Sequence, residues 1–238
     1  MDKFYDLIEN TTFVIPVRLG SSRIKNKVLL PFPNKKINLI EHKINQLLNI
    51  TTKDKIILSC GERRLIELAE SFDIKVSHRD GHFINEHDAG TRESIVEVVK
   101  DIPTKYTAWT TVVTPLHDEV VIKKSLESYL KFQKDFDSMT TGVRIYEYLW
   151  QDDKPLNYFA DERHVDSQDL PCLTRVSNGI YFSQTSIMRQ NGYFLGYKPK
   201  IIEIPKVCSV DIDTREDYLT ALNAIDWYKE IRDEFYSA

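Results

Sequence analysis

The sequence predicts an α/β fold with a mostly parallel central sheet flanked by helices. Short β-branched runs alternate with amphipathic helical stretches through most of the 238 residues, and this alternation is typical of crossover units in a parallel sheet. The length suits one large domain, which we expect to comprise residues 1–238. With 42% hydrophobic and 29% charged residues, the chain has enough apolar material to bury a core.

The first half of the chain alternates between predicted strands and helices. A β-branched run at residues 13–17 predicts the first strand. Apolar residues recur on one helical face over residues 39–48, which predicts a helix there. The same two patterns predict, in order, a strand at 55–59, a helix at 62–72 and a short strand at 74–76.

The second half continues this alternation. A loop rich in His, Gly and Asp leads to a helix predicted near residues 91–99, followed by a buried strand at 107–114. Pro115 ends that strand because proline cannot donate a ladder hydrogen bond. Asp118 is placed to cap a helix that continues to about residue 132. The last predicted element is one helix from residue 214 to about residue 235.

Residues 147–173 interrupt the alternation of strands and helices. The stretch is polar, contains two prolines and shows little periodicity. A long segment without regular structure inside a compact domain is commonly functional. We therefore expect an inserted arm or lid within the single domain, used to cover a site or to contact another subunit.

Composition excludes several classes of function. A net charge of −4 argues against nucleic-acid binding, which needs a broad basic surface. No apolar run approaches the roughly 18 residues of a membrane span, and the first residues show no signal-peptide pattern. The three cysteines are scattered, as in a reduced cytoplasmic protein, and the six histidines lack zinc-ligand spacing. Among these histidines, His117 is interpreted as a surface or hydrogen-bonding residue.

A concentrated basic loop follows the first predicted strand. Between residues 18 and 40 there are six basic residues and no acid. A glycine allows close backbone approach, and neighbouring serines add hydroxyl and amide donors. Because ligands of α/β sheets bind beyond the carboxyl ends of strands, this loop is a candidate polyphosphate site. The candidate residues are Arg18, Gly20, Ser21, Ser22, Arg23 and Lys27.

The alternative for this loop is a solvated basic surface with no ligand. The loop lacks the G-x-x-x-x-G-K-[ST] spacing of a Walker A motif. It also contains a single glycine, so it is not a dinucleotide-binding fingerprint.

Two acids near the end of the sequence form a candidate metal site. In an extended segment, Asp211 and Asp213 project from the same face. Two carboxylates suit Mg²⁺, which usually takes one or two protein carboxylates plus substrate phosphates. For Asp213 the alternative is a helix N-cap, with Glu216 three residues later completing a capping box.

These pieces together resemble the CMP-acylneuraminate synthetases and the related CMP-Kdo synthetases, which activate acidic keto-sugars. Five places carry the resemblance, in order and over most of the chain. They are IPVRLGSSR at 15–23 with Lys27, DAGT at 88–91, TPL at 114–116, QDLP at 168–171 followed by NGIY at 178–181, and VDIDTRED at 210–217. The first and last of these coincide with the basic loop and the acidic pair.

The resemblance implies a Rossmann-like, GT-A-like nucleotidyltransferase fold, CTP as donor, Mg²⁺ as cofactor and a homodimer formed through an inserted arm. It implies that the basic loop holds the triphosphate and that Asp211 and Asp213 hold the metal. Arg23, Lys27 and the two acids are then the predicted catalytic residues. Arg79 and Thr91 are predicted contacts to the cytidine. The residues predicted to line the acceptor side are Arg175, Asn178, Tyr181 and Phe194.

The chain departs from this pattern in the segment that follows residue 110. Thr111 and His117 occupy places where the acylneuraminate branch usually has glutamine and arginine, and Val112 and Val113 stand where the Kdo branch offers a carboxylate. Acylneuraminate, legionaminate-like, pseudaminate-like and other carboxylated acceptors therefore all remain open.

The predicted reaction is transfer of CMP from CTP to a small carboxylated acceptor, a 2-keto sugar acid of the nonulosonate or Kdo type, with release of pyrophosphate. Two alternatives remain at this point. A GT-A-type glycosyltransferase also uses a D-x-D metal site, although its motif normally lies mid-chain. A catalytically inactive nucleotide-binding subunit would have kept the fold without the reaction.

Overall fold

The central feature of the fold is a seven-stranded sheet with the strand order β3-β2-β1-β4-β8-β5-β9. The structure is a computed structural model that describes residues 2–33, 36–79 and 86–237, with side chains in the last range described from residue 92. The strands are β1 (Thr11–Pro16), β2 (Ile56–Cys60), β3 (Lys75–His78), β4 (Tyr106–Thr110), β5 (Ser138–Ile145), β6 (Trp150–Gln151), β7 (Lys154–Pro155), β8 (Leu173–Gln184) and β9 (Pro199–Glu203).

Helices flank this sheet. Their bounds are α1 (Lys3–Glu9), α2 (Leu39–Leu48), α3 (Arg63–Ser71), α4 (Glu86–Val99), α5 (Glu119–Phe132), α6 (Thr185–Asn191), α7 (Arg215–Ala224) and α8 (Tyr228–Ser237). None of the described helices has the length and apolarity to cross a bilayer.

The sheet is parallel except at β8, which pairs antiparallel with both β4 and β5. Alternate residues of β1 enter two different apolar clusters. Phe13 and Ile15 belong to the larger core, whereas Val14 packs in a smaller cluster with Trp109 and residues of α4 and α6. Burial on both faces is the expected environment of a parallel strand. The predicted α/β class with a mostly parallel sheet is confirmed.

Local signals place several elements as predicted. Helix α2 has the predicted bounds, and Asn38 and Glu41 form a capping box at its start. Asp118 caps α5 by accepting hydrogen bonds from the amides of Val120 and Val121. Both caps satisfy amides that the first helical turn leaves without partners.

Two predictions about elements are wrong, and several elements were not predicted. The strand predicted to reach residue 114 ends at Thr110, and Thr111 and Thr114 bond each other through their hydroxyls in the turn that follows. Strands β5, β8 and β9 are missing from the prediction. The single C-terminal helix is divided between α7 and α8.

The division of the C-terminal helix has a tertiary cause. The turn after α7 redirects the chain so that α8 packs against the start of α5. There the Arg232 guanidinium donates to Asp118 Oδ2, and the Tyr228 hydroxyl donates to the same oxygen at 3.2 Å. Both members of this ion pair are buried, so pairing is what makes their burial tolerable.

The segment expected to be an arm leaves the sheet between β5 and β8. It contains the hairpin β6–β7 and a short 3₁₀ turn at Ser167–Asp169. Several of its apolar side chains are exposed, among them Trp150, Leu156 and Phe159.

Candidate active site

The largest concentration of predicted site residues lies around one cavity of about 480 Å³ at the carboxyl ends of β1 and β4. This is the edge where ligands of open α/β sheets bind. The predicted residues that line it are Arg18, Ser21, Ser22, Arg23, Lys27, Arg79, Asn178, Tyr181, Phe194, Asp211 and Asp213. Most of the residues that line the cavity are therefore residues predicted from the sequence to bind a ligand.

Two predicted residues lie elsewhere. Gly20 belongs to the loop after β1 but does not line the cavity, and a Cβ added there would meet no atom within 4 Å. Arg175 is exposed on β8, where its guanidinium donates to Ser209 Oγ at 2.7 Å. The side chain of Thr91 lies outside the described residues.

The basic loop and the acidic pair meet at Asp213. Its Oδ1 accepts from Arg23 Nη2 at 2.8 Å and from Lys27 Nζ at 3.0 Å. Lys27 is held in a short 3₁₀ turn that begins after Asn26, whose φ of 52° lies in the left-handed region. Two cations from the first loop thus contact one carboxylate oxygen of a residue near the end of the sequence.

The predicted capping role of Asp213 is wrong. Thr214 is the N-cap of α7, and Asp217 completes the capping box with it. The backbone amide of Asp213 donates to Asp217 Oδ2 at 3.1 Å. The Asp213 carboxylate is therefore available to the cations of the basic loop.

Asp211 occupies a different environment from Asp213. Its Oδ2 accepts from Asn178 Nδ2 at 2.9 Å, whereas its buried Oδ1 has no hydrogen-bond partner. Burial raises the pKa of Asp211, and the neighbouring Asp213 charge raises it further, while the Asn178 hydrogen bond opposes both. A bound cation would relieve the cost of a buried, partly satisfied carboxylate.

The donor set therefore fits a hard cation that takes further ligands from a substrate. The described residues contain no group of three or more His, Cys, Asp or Glu side chains able to enclose a metal. Two carboxylates are nevertheless sufficient for Mg²⁺ when phosphate oxygens complete its coordination.

Arg79 is buried at the base of the cavity. Its Nη2 donates to the carbonyls of Val17 at 2.5 Å and Ser59 at 3.0 Å. These contacts tie the exit of β1 to the end of β2. The guanidinium therefore stabilises the backbone that forms one wall of the cavity, and it also lines the cavity.

An aromatic wall forms the other side of the cavity. The Phe194 ring lies 5.1 Å from the Trp109 ring and 4.9 Å from the Tyr181 ring, measured between centroids. Sequence analysis missed the contribution of Trp109 and of Thr111, both of which line the cavity. Their positions at and just beyond the end of β4 are the signal that could have identified them.

His117 is wholly buried, contrary to the prediction of a surface or hydrogen-bonding side chain. Neither ring nitrogen has a hydrogen-bond partner. The ring lies against Gly179, where a Cβ would come within 2.3 Å of Nδ1. Burial lowers the pKa of His117, and the nearby Lys43 charge adds to the effect.

Lowering the pH from about 6.5 toward 4 is expected to reduce the free energy of unfolding. Burial lowers the pKa of His42 from 6.5 to about 4, so the unfolded chain binds an additional proton in this window. Stability is therefore fully present above the unfolded pKa and decreases as the pH falls, by on the order of 1 kcal/mol per pH unit. Urea unfolding at a series of pH values measures the slope. His42→Gln should make it shallower, and an unchanged slope would contradict the assignment.

Comparison with known proteins decides the family. The sequence matches the family described as Cytidylyltransferase over residues 12–232. This chain belongs to the cytidylyltransferase family. It is thus a CTP-dependent nucleotidyltransferase, and enzymes of this type typically use a divalent metal.

Curated relatives of this cytidylyltransferase are named for a specific acceptor. Two pseudaminic acid cytidylyltransferases from Campylobacter jejuni subsp. jejuni, one from strain 81-176 and one from strain NCTC 11168, are each 26% identical over 216 residues. The alignment covers 86% of this chain and 91% of each relative.

Solved structures share the fold of this cytidylyltransferase at low sequence identity. A CMP:2-keto-3-deoxy-manno-octonic acid synthetase complexed with CTP is similar with a TM-score of 0.60 and 14% identity, covering 91% of this chain and 99% of that one. A 4-diphosphocytidyl-2C-methyl-D-erythritol synthase from Anaerococcus prevotii has a TM-score of 0.62 and 11% identity, covering 91% and 98%. The Rossmann-like fold is confirmed.

Proposed function

We propose that this cytidylyltransferase transfers CMP from CTP to the anomeric hydroxyl of a 2-keto sugar acid of the nonulosonate type. The observation that carries the proposal is the meeting of Arg23 and Lys27 with Asp213, beside Asp211, in one cavity. The similarity to pseudaminic acid cytidylyltransferases supports a nonulosonate acceptor. The reaction takes place in the cytoplasm, where CTP is available.

The loop after β1 binds the triphosphate. Arg18, Arg23 and Lys27 supply positive charge, and Ser21 and Ser22 supply further donors from the same side of the cavity. Phosphoryl and nucleotidyl transfer depend mainly on positioning and on neutralising the charge that spreads over the phosphate oxygens. Binding of CTP draws Arg23 and Lys27 from Asp213 toward the phosphates.

Asp211 and Asp213 would hold Mg²⁺ together with the phosphate oxygens of bound CTP. The partnerless Oδ1 of Asp211 supports this role. Binding of CTP would free Asp213 from Arg23 and Lys27, with which it is paired in this structure. When bound, Mg²⁺ neutralises phosphate charge and increases the acidity of the acceptor hydroxyl.

The acceptor sugar packs against the aromatic wall formed by Trp109, Tyr181 and Phe194. Such a wall supplies apolar contact to one face of a sugar ring. The acceptor oxygen then forms a bond to the α-phosphorus of CTP, and the bond from that phosphorus to the bridging oxygen breaks. Pyrophosphate leaves, its charge balanced by Arg23 and Lys27, and the hydroxyl proton passes to solvent.

The arm at residues 147–173 mediates a homodimer in this proposal. Its exposed Trp150, Leu156 and Phe159 provide apolar surface that a second subunit would cover. The arm remains part of a single domain comprising residues 1–238.

A pyrophosphate-release assay tests the proposed reaction. CTP with Mg²⁺ and a panel of nonulosonates and Kdo-type acids should release pyrophosphate with at least one acceptor, whereas reduced analogues that lack the anomeric hydroxyl should not react. ATP, GTP and UTP serve as matched donors and should be at least tenfold poorer. Equal rates with UTP, or no release with every acid, would contradict the proposal.

A further inference from the structure

The irregularity of β8 lies directly beside the acidic pair. Thr140 of β5 pairs with Tyr181, but Gly142 pairs with Val176, so β8 carries a bulge between these two registers. Asn178 lies within the bulge with a φ of 56°. Asparagine is one of the few residues that adopts this left-handed conformation readily, and bulges beside active sites commonly redirect a side chain.

Both polar atoms of the Asn178 side-chain amide form hydrogen bonds. Its Nδ2 donates to Asp211 Oδ2 at 2.9 Å, and its Oδ1 accepts from the Tyr181 hydroxyl at 2.6 Å. In this orientation the amide nitrogen donates to a carboxylate oxygen and the amide oxygen accepts from a hydroxyl, as expected beside an ionised carboxylate. These contacts fix Oδ2 of Asp211, whereas its buried Oδ1 has no hydrogen-bond partner.

The backbone of the bulge is held from the segment after β4. Thr111 Oγ1 donates to the carbonyl oxygen of Asn178 at 2.7 Å. The His117 ring fills the space that a side chain at Gly179 would need. The two residues at which this chain departs from the acylneuraminate pattern therefore contact neighbouring residues of one bulge.

We propose that Asn178 is a positioning residue for the Asp211 carboxylate, held in place by Tyr181, Thr111 and the contact between His117 and Gly179. This inference rests on the proposed function, and it gives the Asn178 amide a role in addition to the predicted one of lining the acceptor side. Asn178 acts through Asp211 by fixing the orientation of the carboxylate beside which the cation that accompanies CTP would bind. Partners that orient metal ligands typically account for 10–100-fold in metal affinity or activity.

The decisive measurement is the gain in CTP affinity that Mn²⁺ produces. Calorimetric titration with CTP is carried out in excess Mn²⁺ and again in a chelator, and the ratio of the two affinities reports on the metal ligands alone. Asn178→Gly keeps the left-handed backbone accessible and removes the amide. It should reduce the Mn²⁺-dependent gain about 10-fold while leaving CTP affinity in the chelator within about twofold.

A matched pair of threonine variants distinguishes a specific effect on the position of Asn178 from a general destabilisation of β8. Thr111→Val removes a hydroxyl that donates to the Asn178 carbonyl, and Thr140→Val removes one that donates to the Ile180 carbonyl at 2.9 Å. Thr111→Val should lower the Mn²⁺-dependent gain, and Thr140→Val should leave it unchanged. Thermal unfolding of each variant checks that the protein is folded.

Three results would overturn the inference. An unchanged Mn²⁺-dependent gain in Asn178→Gly together with a raised KM for the acceptor would make the amide a substrate ligand. If the two threonine variants lowered the Mn²⁺-dependent gain equally, the bulge would stabilise β8 without a specific role in positioning Asp211. Wild-type protein that binds CTP and releases pyrophosphate without any Mn²⁺-dependent gain would remove the role of Asp211, whereas failure to bind CTP would remove the proposed function itself.

Discussion

Asp211→Asn is expected to reduce kcat by about 10²–10³-fold while the melting temperature stays the same or rises. Loss of one preorganised charged group aimed at a transition state typically has a cost of this size. The stability should not fall, because burial and the neighbouring Asp213 raise the pKa of Asp211, so ionisation of this carboxyl is less favourable in the folded than in the unfolded chain. Asparagine has the same shape, and its side-chain oxygen can still accept from Asn178.

The measurement combines CTP-dependent pyrophosphate release with thermal unfolding at neutral pH. Asp226→Asn is the matched control, since it removes the same charge from an exposed position on the turn after α7. The control should retain wild-type turnover. A large fall in melting temperature of Asp211→Asn would indicate a structural role for the carboxylate, and retained turnover would remove Asp211 from the reaction.

Lys27→Met should lower kcat/KM for CTP by about 10²–10³-fold. The Lys27 side chain is only 12% exposed, and its ammonium group lies 3.0 Å from Asp213 Oδ1 at the edge of the cavity. A charge held in place and screened little by water stabilises a triphosphate far more than a mobile surface charge does. Methionine preserves most of the apolar contact of the side chain, so the loss reports on the charge.

Lys25→Met provides the control within the same loop. Lys25 is exposed and does not line the cavity around Asp211 and Asp213. Its replacement should change kcat/KM by less than about threefold, with an effect that disappears at high salt. Similar losses in both variants would show that the loop acts through diffuse attraction of CTP, and the positioned role of Lys27 would be wrong.

Local signals accounted for much of the predicted architecture. Helix α2 was located correctly because its apolar face and its Asn38–Glu41 capping box are both encoded within ten consecutive residues. The start of α5 was located for the same reason, through the Asp118 cap. Signals of this kind are readable because every interacting group lies within a turn or two of its partner.

The strands β5, β8 and β9, which were not predicted, depend on distant partners. Strand β5 buries Ser138, Thr140 and Thr141, and the last of these bonds the Ser177 hydroxyl of β8 at 2.6 Å. Polar residues at buried positions hide the period-2 pattern of a strand, since their burial is tolerated only once a partner strand supplies the hydrogen bonds.

The site shows the same division. The chemical groups could be recognised from residue types and their spacing, namely a basic loop after the first strand and two acids before α7. Three contacts of the site depend on how distant segments pack. Arg23 and Lys27 share one oxygen of Asp213. Arg175 donates to Ser209, and the bulge in β8 brings the Asn178 amide to Asp211. The physical reason is that residue type and local spacing set charge and propensity, whereas the distance between groups far apart in the chain is set by strand order and packing.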